Sequence, residues 1–129
     1  MSYEEFLLAL VIWREARGEG HDGMVAVGCV IRNRAHDWGQ TFYKAIVGQN
    51  QFSSMTIKGD SQTVLWPAPD DGVIQIARDV YSGATGDTTG GAHYYANEAA
   101  MNSVWYQKNI IESPEHPVTL ALGKHTFRR

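Results

Sequence analysis

One stretch of the sequence stands out as able to do chemistry. Glu15-Ala16-Arg17-Gly18-Glu19, together with Arg14, places two carboxylates and two guanidinium groups at the end of a strongly apolar run. If that run is helical, Glu15 lies near a helix C-terminus, where exposed carbonyls make the local potential negative and disfavour an ionised carboxylate. Partial burial beside Val11 and Ile12 disfavours it further, and Arg14 or Arg17 opposes both effects if either pairs with it. A carboxylic acid that keeps its proton near neutral pH is what cleavage of a glycosidic bond requires, because the leaving oxygen must be protonated as the bond breaks. The same spacing also accommodates a plain ion-pair cluster in which Glu15 and Glu19 meet Arg14 and Arg17 around a helix end.

A second set of residues carries the chemistry of sugar recognition. Gln51, Phe52, Tyr94, Tyr95, Asn97, Trp105 and Tyr106 fall outside the helical patterns. Aromatic faces stack on the apolar faces of pyranose rings, and amides bond hydroxyl and acetamido groups. Taken alone, Phe52, Tyr94 and Trp105 fit a core equally well.

Other chemistries find little support. His21, His36, His93, His116 and His125 include no pair at the i, i+4 spacing of a helical metal site, and there is no HExxH or Cys-His cluster, so no metal is expected. A GxSxG elbow is absent, and the single cysteine, Cys29, sits among apolar neighbours and reads as a buried small hydrophobe. Thr89-Gly90-Gly91-Ala92 lacks the lysine and following helix of a phosphate loop. No cofactor is implied. A net charge of -3 gives no basic surface to hold nucleic acid. One cysteine also rules out an internal disulfide.

These residues must be positioned by a chain of 129 residues, 43% apolar and 19% charged, which fits one packed domain, 1–129, expected as a monomer. Ser2 and Glu5 have the spacing of a capping box, and the run that follows predicts a helix from Tyr3 to Arg17. Its apolar residues occupy every face, as in a helix buried at the centre of a domain. Asp22 is the expected cap of a second helix ending at Arg34 or Ala35, and Thr41 of a short third, Phe42 to Val47. Asp70 or Asp71 opens a fourth, with Val73, Ile76, Ala77 and Val80 in its stripe and Gly83 at its end. Residues 49–69 lack periodicity and read as a long functional loop. Farther on, Ala92-His93-Tyr94-Tyr95 has strand propensity, and Thr119 to Phe127 around Gly123 suggests a strand or hairpin. The expected fold class is α+β, mostly helical with a small antiparallel sheet.

The apolar run Phe6 to Trp13 is preceded by Glu4 and Glu5 where an export signal needs positive charge, and no small-residue cleavage site follows it. Its eight residues are also far short of the ~20 that span a bilayer. Synthesis in the cytoplasm without a signal peptide, and no membrane insertion, are the expectations.

Placed in order, the motifs match a known family. Glu15-Ala16-Arg17-Gly18-Glu19, Gly23-Met24-Val25-Ala26-Val27-Gly28 and Arg32-Asn33-Arg34 closely resemble the opening of the SleB-type cell wall hydrolases. Gln51-Phe52-Ser53, Thr89-Gly90-Gly91-Ala92-His93-Tyr94-Tyr95-Ala96-Asn97, Trp105 and Gly123-Lys124-His125-Thr126-Phe127 follow in the family's order. The resemblance runs from about Phe6 to Phe127.

It implies a fold similar to the lysozyme-like lytic transglycosylases and cleavage of bacterial peptidoglycan at the β-1,4 bond between N-acetylmuramic acid and N-acetylglucosamine. In those enzymes a single glutamate protonates the glycosidic oxygen and then, as base, helps the muramic C6 hydroxyl close a 1,6-anhydro ring. Carried over by position, that glutamate is Glu15, with Glu19 its competitor, while Gln51, Phe52, Ser53, Tyr94, Tyr95 and Asn97 line the sugar subsites. Many family members carry a signal sequence and a wall-binding domain that are not seen here, which points to a phage lysis or virion enzyme. A hydrolytic muramidase, a non-catalytic glycan-binding module and a structural phage protein are the competing readings.

Overall fold

The structure is a computed structural model that describes residues 2–47 and 71–129. The expected loop at 49–69, with Gln51, Phe52 and Ser53, lies outside the described residues.

Helix α1 (Tyr3–Ala16) opens as its sequence requires: the Ser2 hydroxyl accepts the Glu5 amide at 3.1 Å. Only that half of the box is in hand, since the Glu5 carboxylate lies 3.7 Å from Arg78. The helix is apolar on all sides because other helices surround it. α2 (Gly20–Asp37), α3 (Phe42–Val47) and α4 (Asp71–Ser82) all pack on it, and Leu8, Ala9, Val11 and Ile12 are wholly buried. Thr41 caps α3 through a 3.1 Å bond from the Lys44 amide, and Gly83, at φ +84°, ends α4 in the left-handed conformation a glycine adopts freely.

Two boundaries of α2 differ from expectation. It starts at Gly20, with Glu19 at the cap position making no side-chain cap bond, and Asp22 lies inside the first turn. An acidic side chain anywhere in that turn meets the positive end of the helix dipole, so its presence locates a helix start only to within a turn. The helix also continues to Asp37, where the Trp38 amide still reaches the Arg34 carbonyl at 2.9 Å.

The sheet comprises β1 (Tyr94–Ala96), β2 (Val118–Leu122) and β3 (His125–Arg128), antiparallel in the order β1-β3-β2, so β1 and β2 are its two edges. The β2–β3 turn passes through Gly123 at φ +58°. Before β2 the chain forms an element not expected from the sequence: α5 (Val104–Tyr106), capped by Ser103, runs straight into a π-helical turn at Gln107–Ile111. It was illegible because it offers no apolar stripe; Val104 and Trp105 are exposed and only Ile110 is buried.

α2 divides the molecule. Val27, Cys29 and Ile31 join the aliphatic core shared by the helices, and Gly28 lets the three helices close up: a Cβ there would stand 3.1 Å from Ile12 and 3.3 Å from Val80. On the other face Ala26 and Val30 form a second core with Ala92 and Phe127 of the sheet region. The expected α+β fold, mostly helical with a small antiparallel sheet, is thus the observed one. Among the described residues no helix is long and apolar enough to cross a membrane.

Candidate active site

The stripe Ala26, Val30, Arg34 advances by one helical turn at each step along α2. It continues the sheet-facing surface of the helix until a guanidinium replaces the aliphatic side chain. Arg34 is 8% exposed, donates through Nε to the His93 carbonyl at 2.6 Å, and sits 5.4 Å from the Trp38 ring centroid and 5.6 Å from that of Tyr94. Burial pulls its pKa down, and Tyr95, Tyr94 and Tyr106 oppose the shift. Asn33, one residue earlier, donates to the Ala92 carbonyl at 3.0 Å and to the Thr89 hydroxyl at 3.3 Å. Together these bonds fix the chain leading into β1 against the helix.

Successive residues of a strand point to opposite faces, and β1 uses this to split its two tyrosines. Tyr94 lies 6.0 Å from Trp38 and edge-on to His116 at 4.9 Å. Tyr95 turns toward the helices: it stacks on Phe127 at 5.7 Å and meets His125 edge-on at 5.6 Å. Burial, and next the Glu15 carboxylate, hold the Tyr95 phenol well above its ordinary pKa. It therefore keeps its proton.

Glu15 sits in the last turn of α1, partly exposed. Its neighbours in the motif have separate partners. The Arg17 guanidinium lies 4.3 Å from the Trp13 ring centroid, while Glu19 reaches away to the β2–β3 hairpin, its carboxylate 3.4 Å from Nδ1 of His125. Arg14 is pulled down by burial and held up by Glu15. Of the two carboxylates, Glu19 is thus engaged by His125 of the hairpin, while Glu15 acts electrostatically on Tyr95.

Around this centre stand groups to which sequence reasoning gave no role, together with Tyr106, which it read among the sugar-recognition side chains. Trp38 lies 5.4 Å from the His93 ring, nearly parallel to it, and His93 in turn meets Asp37 at 2.7 Å. Glu98 and Arg128 form a two-pronged ion pair at 2.6 and 3.0 Å, and Arg128 also donates to the His116 carbonyl. The buried Tyr106 hydroxyl has no hydrogen-bond partner among the described residues; burial, and next the Glu98 carboxylate, push its pKa up to about 12. Two clues were available. Arg34 continues an otherwise apolar i, i+4 stripe, and Trp38 directly follows the helix that carries it.

Asn97 follows β1 directly, half-buried, and its carbonyl accepts the amides of Ala100 and Met101. Trp105 is 63% exposed and is no core residue. Cys29 is buried as expected. Among the described residues no group of three or more His, Cys, Asp or Glu side chains could hold a metal ion. A separate cavity of about 440 Å³ opens beside the β2 edge, lined by Val25, Ile76, Leu120, Leu122 and polar neighbours; among the described residues none of the expected site residues borders it.

Comparison with known proteins places this arrangement. A family model described as Cell Wall Hydrolase matches residues 18–128, a span that begins just after Glu15. Spore cortex-lytic enzymes of Halalkalibacterium halodurans and Oceanobacillus iheyensis are each 31% identical over 121 residues, 94% of this chain. The matched region is only 33% and 40% of those proteins, so the chain spans well under half the length of these relatives. Among solved structures, the catalytic domain of the germination-specific lytic transglycosylase SleB from Bacillus anthracis superposes with a TM-score of 0.75 at 26% identity, covering 100% of this chain and 97% of that one. The SleB catalytic domain of Bacillus cereus gives 0.74 at 27%, covering 99% and 91%.

Proposed function

The chain belongs to the cell wall hydrolase family and is an enzyme of its peptidoglycan-cleaving type, and on that premise we propose that it cuts glycan strands at the β-1,4 bond between N-acetylmuramic acid and N-acetylglucosamine, with Glu15 as the single general acid and base. What supports the assignment is the place of Glu15, partly exposed in the last turn of α1 and within the motif by which the sequence resembles that family. Glu19, occupied with His125 beside the hairpin, is the weaker candidate.

In the reading we favour, Glu15 gives its proton to the glycosidic oxygen as the bond to muramic C1 breaks. The carboxylate left behind then takes the proton of the muramic C6 hydroxyl while that oxygen closes on C1. The product is a 1,6-anhydro end, Glu15 has its proton back, and no water is consumed. The solved relative described as a lytic transglycosylase favours this route over hydrolysis. Trp38, Tyr94 and Asn97 supply ring faces and an amide for the sugars, joined by Gln51, Phe52 and Ser53. Residues 1–129 act as one domain and as a monomer.

The test is the clearing of a purified peptidoglycan suspension, followed by mass analysis of the released saccharides. Anhydro ends are expected. Products one water heavier would replace the transglycosylase by a muramidase, and binding to the wall without release would make the chain a recognition module.

A further inference from the structure

The cavity of about 440 Å³ beside β2 falls within the size range of small-ligand sites. Val25 of α2, Ile76 of α4 and Leu120 and Leu122 of β2 supply its apolar lining, while Asp22, Asp79, Thr85 and Thr88 add polar groups. The wall that follows α4 is tied down: the Arg32 guanidinium donates to the Val80 and Thr85 carbonyls at 2.8 and 2.6 Å, and the Thr85 amide donates to the Asp79 carbonyl at 2.9 Å. Among the described residues no lysine or arginine lines the cavity. The arginines of the two lining helices are engaged elsewhere, Arg32 with those carbonyls, Arg34 with the His93 carbonyl and Arg78 with Glu5. Half-buried Asp79 accepts the neutral Gln75 amide at 2.9 Å, and exposed Asp22 lies 3.4 Å from His21 Nδ1. Asp79 also stands in the last turn of α4, where the helix carbonyls add negative potential and no basic residue offsets it.

We infer that this cavity is a subsite for the peptide stem of peptidoglycan, taking the aliphatic side chain of its diamino acid with the side-chain ammonium at Asp79 and Asp22. The inference rests on the reading that the chain cuts peptidoglycan strands. An apolar lining edged by two carboxylates is complementary to a methylene chain that ends in a cation: the methylenes leave water while the charge stays at the rim. An anionic ligand would meet repulsion from the same pair, and a neutral sugar has no charge to answer it. The stem's own carboxylates find donors in the Thr85 and Thr88 hydroxyls and the His21 ring, which also line the cavity. Its place suits this occupant. α1 ends at Ala16 and α2 begins at Gly20, so the chain from Glu15 to Asp22 spans at most about 25 Å even if extended. Leu122 is paired with His125, the residue that engages Glu19. A stem carried by a muramic residue near the cut bond is therefore within reach of the cavity.

The experiment follows backbone amide chemical shifts of the isotopically labelled chain as a stem tetrapeptide is added. Lysine serves as its diamino acid, since that side chain ends in an ammonium alone, and the same peptide acetylated on the side-chain amine is the control. The free amine peptide is expected to shift Val25, Asp79, Thr88 and Leu120, and the acetylated one to bind about 3- to 10-fold more weakly, the scale of two partly screened ion pairs. The double variant Asp22→Asn, Asp79→Asn should lose the same factor with the free amine peptide and nothing further with the acetylated one. Thr88→Trp fills the mouth from an exposed position; it is expected to abolish the shifts and keeps the test open if the double variant does not fold. Equal affinity for the two peptides, or shifts that leave the cavity untouched, overturns the proposal. Shifts at these residues that appear on raising the protein concentration alone, with no response to peptide, assign the cavity to a second copy of the chain and overturn it as well. Cleavage of purified peptidoglycan is measured in parallel. Normal cutting without a peptide response removes only the subsite, whereas a peptide response from a chain that cuts nothing removes the cutting assignment and leaves the subsite standing.

Discussion

The side chains nearest Gly28 are aliphatic, whereas around Arg34, less than two turns farther along the same helix, the contacts are polar or aromatic. The first region is a core in the ordinary sense: Ile12 and Val80 close on α2 because no Cβ stands between them. The second is held by directional bonds, from Arg34 to the His93 carbonyl, from Asn33 to the Ala92 carbonyl and between Arg128 and Glu98. Aliphatic packing supplies stability without caring much about angle, while hydrogen bonds and ring contacts fix orientation. α2 joins the two, so the packed half sets where α1 ends and the directional half sets what its last turn meets.

That contrast can be broken from either side. Glu15→Gln should leave the packed half untouched and cost about 100- to 10,000-fold in turnover, with thermal unfolding within error of wild type. Gly28→Val should do the reverse. Its extra carbons meet Ile12 and Val80, and overpacking of this kind costs about 1–3 kcal/mol, read as a lower denaturant midpoint. The folded fraction should keep most of its specific activity.

Glu98→Ala tests the directional half away from Glu15. It leaves a mostly buried Arg128 without its carboxylate, a loss below the ~3–5 kcal/mol of a fully enclosed pair and on the order of 1–2 kcal/mol by chemical denaturation. The smallest effect concerns Asp87. Burial pushes its pKa up, but bonds from the Thr89 hydroxyl and amide and from the Gly91 amide outweigh that and hold it below the usual 3.8. A lowered folded-state pKa contributes stability that is present above the unfolded value and lost as pH falls through the folded one. Wild type should therefore exceed Asp87→Asn in stability at neutral pH, and the gap should shrink below about pH 4. A gap independent of pH would mean that the carboxylate's charge is not what anchors the loop.

The packed half was the more legible in the sequence. Ser2, Thr41 and Gly83 marked helix ends by mechanisms that act within four residues, and the all-round apolarity of α1 foretold a helix enclosed by others. The hairpin around Gly123 was legible for the same local reason. The directional half was read less well because its contacts join distant residues: Arg34 with His93, Asn33 with Ala92, Tyr95 with Phe127. The motifs named Glu15, Tyr94, Tyr95 and Asn97, but not that β1 would send its tyrosines to opposite sides, nor that Trp38 would stand against one of them. α5 and its π-helical turn escaped because an exposed helix with one buried residue has no stripe to read. Gln51, Phe52 and Ser53 remain assigned by motif alone.

The most direct measurement sets the wild-type chain and Glu15→Gln side by side on the same purified peptidoglycan, with circular dichroism to show that both are folded and mass spectrometry of what each releases. The account predicts 1,6-anhydro-muropeptides from wild type and essentially none from the variant. The same products from a folded Glu15→Gln protein, at a comparable rate, would contradict it.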